Sequence, residues 1–151
     1  MKEDVKAAFK KAITQFDARE EAADHERKKV ATARQEFETE CKRVIDQVIV
    51  PTLNEIGGML QQSGWIYTTA LLPAETGVRF EIYRGNMMAA GGIVRPHIAF
   101  SSLPERPKLG IISYSQTSGG GPQEYDLGQV SDDFVASQVL PFFERLAAER
   151  R

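Results

Sequence analysis

The chain is poor in the residues that build small metal and disulfide sites. It holds one cysteine, Cys41, and two histidines, His25 and His97, in 151 residues. A single cysteine excludes an internal disulfide framework and a cysteine-based zinc site. The two histidines sit far apart and lack the i, i+4 spacing of a zinc-protease pair. No metal site and no cofactor is expected. No apolar run approaches the ~18 residues that a membrane span needs. The opening stretch, MKEDVKAAFKKAITQFDAREE, mixes acids with bases and lacks the apolar core of a signal peptide. A soluble, cytoplasmic protein is the expectation. An excess of one charge is missing too, since the formal net charge is −2. A dedicated nucleic-acid binder would carry a basic patch or a high pI, so nucleic acid is not an expected partner.

Proline and glycine are absent before Pro51. Nothing in that segment breaks a helix, and the pattern predicts one long helix over about 3–49. Such a helix would be about 70 Å long at ~1.5 Å per residue, more than a small domain can cover. Phe9, Phe16, Ala23, Val30, Phe37 and Val44 recur every seven residues. They form the d positions of a heptad. The a positions are Lys6, Ile13, Glu20, Arg27, Arg34, Cys41 and Val48, charged in the middle where a coiled coil prefers apolar residues. Cys41 reads as a small buried hydrophobe among Phe37, Val44 and Val48. His25 reads as solvated. The locally basic run ERKKVATAR (26–34) is flanked by acids on both sides, so a salt-bridged helix surface is its expected use.

Pro51 is expected to kink the helix, with helix resuming over 52–62 and stopping at Gly64, which suits a left-handed cap. Gly57 and Gly58 are costly inside a helix, at ~1 kcal/mol each against alanine. Close approach of another backbone would justify them, and a local kink is the alternative explanation.

From residue 65 the period changes to two. WIYTTALL (65–72), Val78–Ile82, HIAFSS (97–102) and LGIISYSQ (109–116) read as strands, and PQEYDL (122–127) as a short fifth. The connections are short, which favours an antiparallel meander. Ser131 is a helix cap followed by Asp132 and Asp133. Val135, Val139, Phe142 and Leu146 then form a helical stripe. Pro141 predicts a bend near 137–141.

The stretch SQTSGGGPQEYD (115–126) looks most like a phosphate loop. It has no lysine in reach, Pro122 removes a donor, and a strand follows where a helix is required. It reads as a hairpin loop, as do Gly91 and Gly92.

The expected fold is α+β: a long N-terminal helix kinked near Pro51, an antiparallel four- to five-stranded meander, and a C-terminal helix on one sheet face. Residues 1–36 form a projecting or pairing helical extension and 37–151 the globular domain. Two function classes fit. The first is a non-enzymatic assembly protein that self-associates or docks into a larger complex through Phe9, Ile13, Phe16, Val30, Phe37 and Val44. The second is a small-molecule binder or small enzyme using the outer sheet face around Tyr67, Arg79, Glu81, Tyr83 and His97. No catalytic residue is assigned.

Overall fold

The computed structural model describes residues 1–73, 76–84, 95–115 and 121–148. The chain divides into two compact units, Met1–Glu36 and Phe37–Arg151. Helix α1 spans Glu3–Val44, a π-helical turn spans Ile45–Ile49, and α2 spans Val50–Gln61. Five strands follow: β1 Ile66–Leu71, β2 Gly77–Tyr83, β3 His97–Ser102, β4 Leu109–Tyr114 and β5 Gln123–Tyr125. A short 3-10 turn at Leu127–Gln129 leads into α3, Asp132–Ala148. The architecture is α+β, with an antiparallel meander in the order β1-β2-β3-β4-β5. Residues 85–94 and 116–120 lie outside the described residues, among them Gly91 and Gly92 and most of the triple-glycine stretch, so the turns expected there lie outside them too. The strands flanking the triple-glycine stretch do pair as a hairpin, from Leu109↔Tyr125 to Ile111↔Gln123.

Helical structure runs through Pro51 without interruption. Proline lacks an N–H and its ring crowds the carbonyl four residues back. Here that carbonyl, on Gln47, falls in the π turn, where bonds reach five residues back, as in Val50 N–H to Ile45 O. The wider turn takes in one extra residue. Its effect on packing is visible in the burial. Heptad spacing from Cys41 and Val44 would place Val48 in the core, yet Val48 is half-buried and Ile49 fully buried. From there the core stripe continues through Leu53 and Gly57. Thr52 Oγ1 donates to Val48 O at 2.7 Å, bonding a carbonyl within the widened turn.

The helix stops as the glycine signal implies. Gly64 has φ of 87°, Trp65 N–H bonds Leu60 O at 3.1 Å, and Gly64 N–H bonds Gln61 O at 3.1 Å. This is the double bond pattern of a Schellman cap. At the start of α3, Ser131 Oγ accepts from Phe134 N–H at 3.1 Å, and acidic Asp132 and Asp133 occupy the first turn. The helix is α-helical throughout, Pro141 included, and that proline sits on the exposed side.

One sheet face carries Val78, Phe80 and Ile82 of β2, Ile98 and Phe100 of β3, and Leu109 and Ile111 of β4, all buried. Ile45, Ile49 and Leu53, with Val135, Val139, Phe142 and Leu146 of α3, belong to the same core. Tyr67 of β1 points into this face too. Its ring lies where a side chain at Gly57 would go, since a Cβ there would be 2.5 Å from the ring carbons. Gly57 is therefore required by an aromatic ring, not by a neighbouring backbone. A Cβ at Gly58 would meet none of the described residues within 4 Å. Trp65 closes the end of the core, edge-on to Phe143 at 5.2 Å and under the Arg84 guanidinium at 5.1 Å.

Candidate functional site

Two surfaces were expected to carry function. The first is the helical stripe of residues 1–36. Every residue from Met1 to Ala33 is exposed. Phe9, Ile13, Phe16 and Val30 are 61, 58, 61 and 60% exposed. These are large apolar side chains at heptad spacing, facing water. Phe37 and Val44, the last two of the expected contact residues, are placed differently. Phe37 is half-buried against the globular core, and Val44 is 3% exposed within it. Both belong to the globular unit, Val44 inside its core and Phe37 at the core's margin.

The second surface is the sheet face opposite the helices. The register fixes its members. Glu81 lies opposite His97, Arg79 opposite Ala99, and His97 opposite Tyr114. Arg79, Glu81, Tyr83 and His97 therefore share one face. Tyr67 does not, because it pairs with Ile82 and sits on the core face, 5.9 Å from the Phe80 ring. Arg95 and Tyr114 were missed by sequence reasoning and belong to the cluster. Arg95 precedes His97 by two residues, so strand periodicity extended backwards would have placed it there.

The cluster is ionic and half-buried. Glu81 lies 3.2 Å from Arg79 Nε and 3.8 Å from Arg95 Nη1. The Arg79 contact is a close charge pair without hydrogen-bond geometry, since Arg79 Nε is buried and makes no hydrogen bond. Arg95 stacks over the Tyr83 ring at 4.3 Å, a cation–π contact. His97 stacks on Tyr114 at 5.5 Å. Its Nδ1 is 2.9 Å from both Arg79 Nη2 and the Arg95 carbonyl oxygen. One ring nitrogen cannot serve both. A bare Nδ1 accepts from Arg79, whereas a protonated Nδ1 donates to the carbonyl. Two guanidiniums share one carboxylate here, which leaves surplus positive charge.

The other candidates are quickly placed. Cys41 is fully buried. Among the described residues no group of three or more His, Cys, Asp or Glu side chains could hold a metal ion, and no helix is long and apolar enough to cross a membrane. An open groove of about 530 Å³ lies between Gln47–Glu55 and the start of α3, with Glu55 and Asp132 in its lining. The Glu40 carboxyl, on α1, is held below its ordinary range by hydrogen bonds from Arg43. Compared with protein-family models, curated proteins and solved structures, the chain matches none.

Proposed function

We propose that this is a non-enzymatic assembly protein that associates through its N-terminal helix. The observation that carries the reading is the exposure of Phe9, Ile13, Phe16 and Val30 on one helix. Leaving large apolar side chains in water forgoes about 1.5–3 kcal/mol each, and a second helix laid along the stripe recovers it.

Charge favours a second copy lying antiparallel. In a parallel pair each a residue faces its own copy: Glu20 on Glu20, Arg27 on Arg27, Arg34 on Arg34. In an antiparallel pair a residues face d residues. The register that sets Ile13 against Val30 also sets Arg27 against Phe16 and Arg34 against Phe9. Those are cation–aromatic contacts. Light scattering on the full chain tests this. Phe16→Asp should lower the solution mass while the strand signal in circular dichroism is retained. An unchanged mass defeats the reading.

A second reading, binding of a small anion on the outer sheet face, is favoured by the surplus positive charge of Arg79 and Arg95 around Glu81. Calorimetric titration with inorganic phosphate should give binding that Arg79→Ala abolishes. No heat with the unaltered chain would remove this reading.

A further inference from the structure

We propose that β1 is an interface between two copies of this chain. The β1 edges pair antiparallel about a two-fold axis at Thr68, so two five-stranded sheets become one of ten strands. This surface is separate from the helical stripe, and the proposal does not depend on it.

Among the described residues the β1 edge is free, and it is six residues long. β1 lies at one end of the sheet. The bond from Leu72 N–H to Gly77 O fixes the alternation. Ile66, Thr68 and Ala70 then bond to β2, while Tyr67, Thr69 and Leu71 turn their N–H and C=O groups outward. Among the described residues those outward groups have no partner. The opposite edge, β5, is only three residues long, and its Glu124 is held by Arg106 at 2.7 Å.

Proteins blunt such edges with lysine, proline or a bulge. β1 has none of these. Its six residues, IYTTAL, pair with β2 in unbroken register. No charged residue occurs from Ile56 to Ala74, in a chain that is 26% charged overall. Ile66 and Leu71 are 39 and 51% exposed. An edge this apolar and uncharged is built to be covered.

The sequence of β1 is complementary to itself. Directly opposite residues in an antiparallel pair share a face. A two-fold at Thr68 sets Thr68 against Thr68, Tyr67 against Thr69, and Ile66 against Ala70. These are the hydroxyl–hydroxyl and aromatic–β-branched pairings that sheets favour. The outward groups of Tyr67 and Thr69 then satisfy one another across the axis. Shifting the register by one residue would join the helix-covered face of one sheet to the bare face of the other.

Gly58 supplies an independent reason. Among the described residues nothing explains it, because a Cβ there would meet none of them within 4 Å. It lies one turn beyond Asn54, whose Oδ1 accepts from Thr69 Oγ1 at 3.0 Å. Asn54 and Gly58 thus share the side of α2 that borders the β1 edge. The two-fold brings the second copy's α2 alongside on the same sheet face, and glycine admits that approach.

The experiment uses the full chain with Phe16→Asp, so that association through the helical stripe is removed. Light scattering should still give twice the 16.8 kDa chain mass. Adding Thr68→Lys sets two ammonium groups opposite each other and should weaken the dimer at least about tenfold. Thr68 is exposed, so the fold should persist by circular dichroism. In a third variant, Thr68→Cys, the two thiols meet across a non-hydrogen-bonded pair, within the Cα distance a disulfide needs. Mild oxidation should then give a covalent dimer. A monomer with Phe16→Asp alone, a mass that Thr68→Lys leaves unchanged, or no cross-link with Thr68→Cys overturns the proposal. The helical reading fails by a different sign: Phe16→Asp then leaves the starting mass unaltered.

Discussion

Phe80→Ala should lower the unfolding free energy by about 3–5 kcal/mol. Phe80 is fully buried at the middle of β2, paired with Thr69 on one side and Ile98 on the other. Its ring also backs the ring of Tyr67. Truncation would remove its transfer energy and leave a cavity between α2 and the sheet, because β2 is tied into neighbouring strands on both sides and cannot close the gap. Total stabilities run at about 5–15 kcal/mol, so a loss of this size consumes much of the margin. Urea unfolding followed by circular dichroism measures it, at one fixed protein concentration because association adds apparent stability. A loss under 1 kcal/mol would mean that this residue is not in the core.

Gly57→Ala should destabilise despite improving helix propensity. Alanine gains about 1 kcal/mol over glycine in a helix. Against this, its Cβ would stand 2.5 Å from the Tyr67 ring. The ring is backed by Phe80 and cannot retreat freely, and forced overpacking costs about 1–3 kcal/mol. A net loss of up to about 2 kcal/mol is expected. The decisive form is a double-mutant cycle. In a Tyr67→Ala background the obstacle is gone, so Gly57→Ala should stabilise. A change of sign identifies the ring as the cause. The same sign in both backgrounds would place the cost elsewhere.

The ease with which parts of this fold could be read follows from what each signal encodes. Absence of proline and glycine before Pro51 is a property of the segment itself, so the long helix was legible. So were the strands, because Val78, Phe80 and Ile82 alternate with polar residues. Tyr67 was not. WIYTTALL is apolar or neutral at both parities, so nothing in it says which side faces the helices, and a one-residue slip exchanges them. Pairing with β2 decides, and that is tertiary information. The π turn was hidden for a similar reason. IDQVIV offers Val48 and Ile49 as neighbours of equal apolar character, and only the bond pattern selects Ile49. On the outer face, alternation placed Arg79, Glu81 and Tyr83 together, but Arg95 lay before the strand and the reading stopped too early.

Cys41 has a practical consequence. Its thiol is fully buried and is the chain's sole sulfhydryl. A thiol reagent in solution therefore reacts only with molecules in which the end of α1 has swung away from the core. When reclosing is faster than labelling, the reaction rate reports the fraction open. Labelling slowed as much as global unfolding requires would make this segment part of the last structure to open. Faster labelling would reveal a partial opening of the helix from an otherwise intact sheet. The protein thus carries its own clock for that motion, readable by mass spectrometry without any added label site.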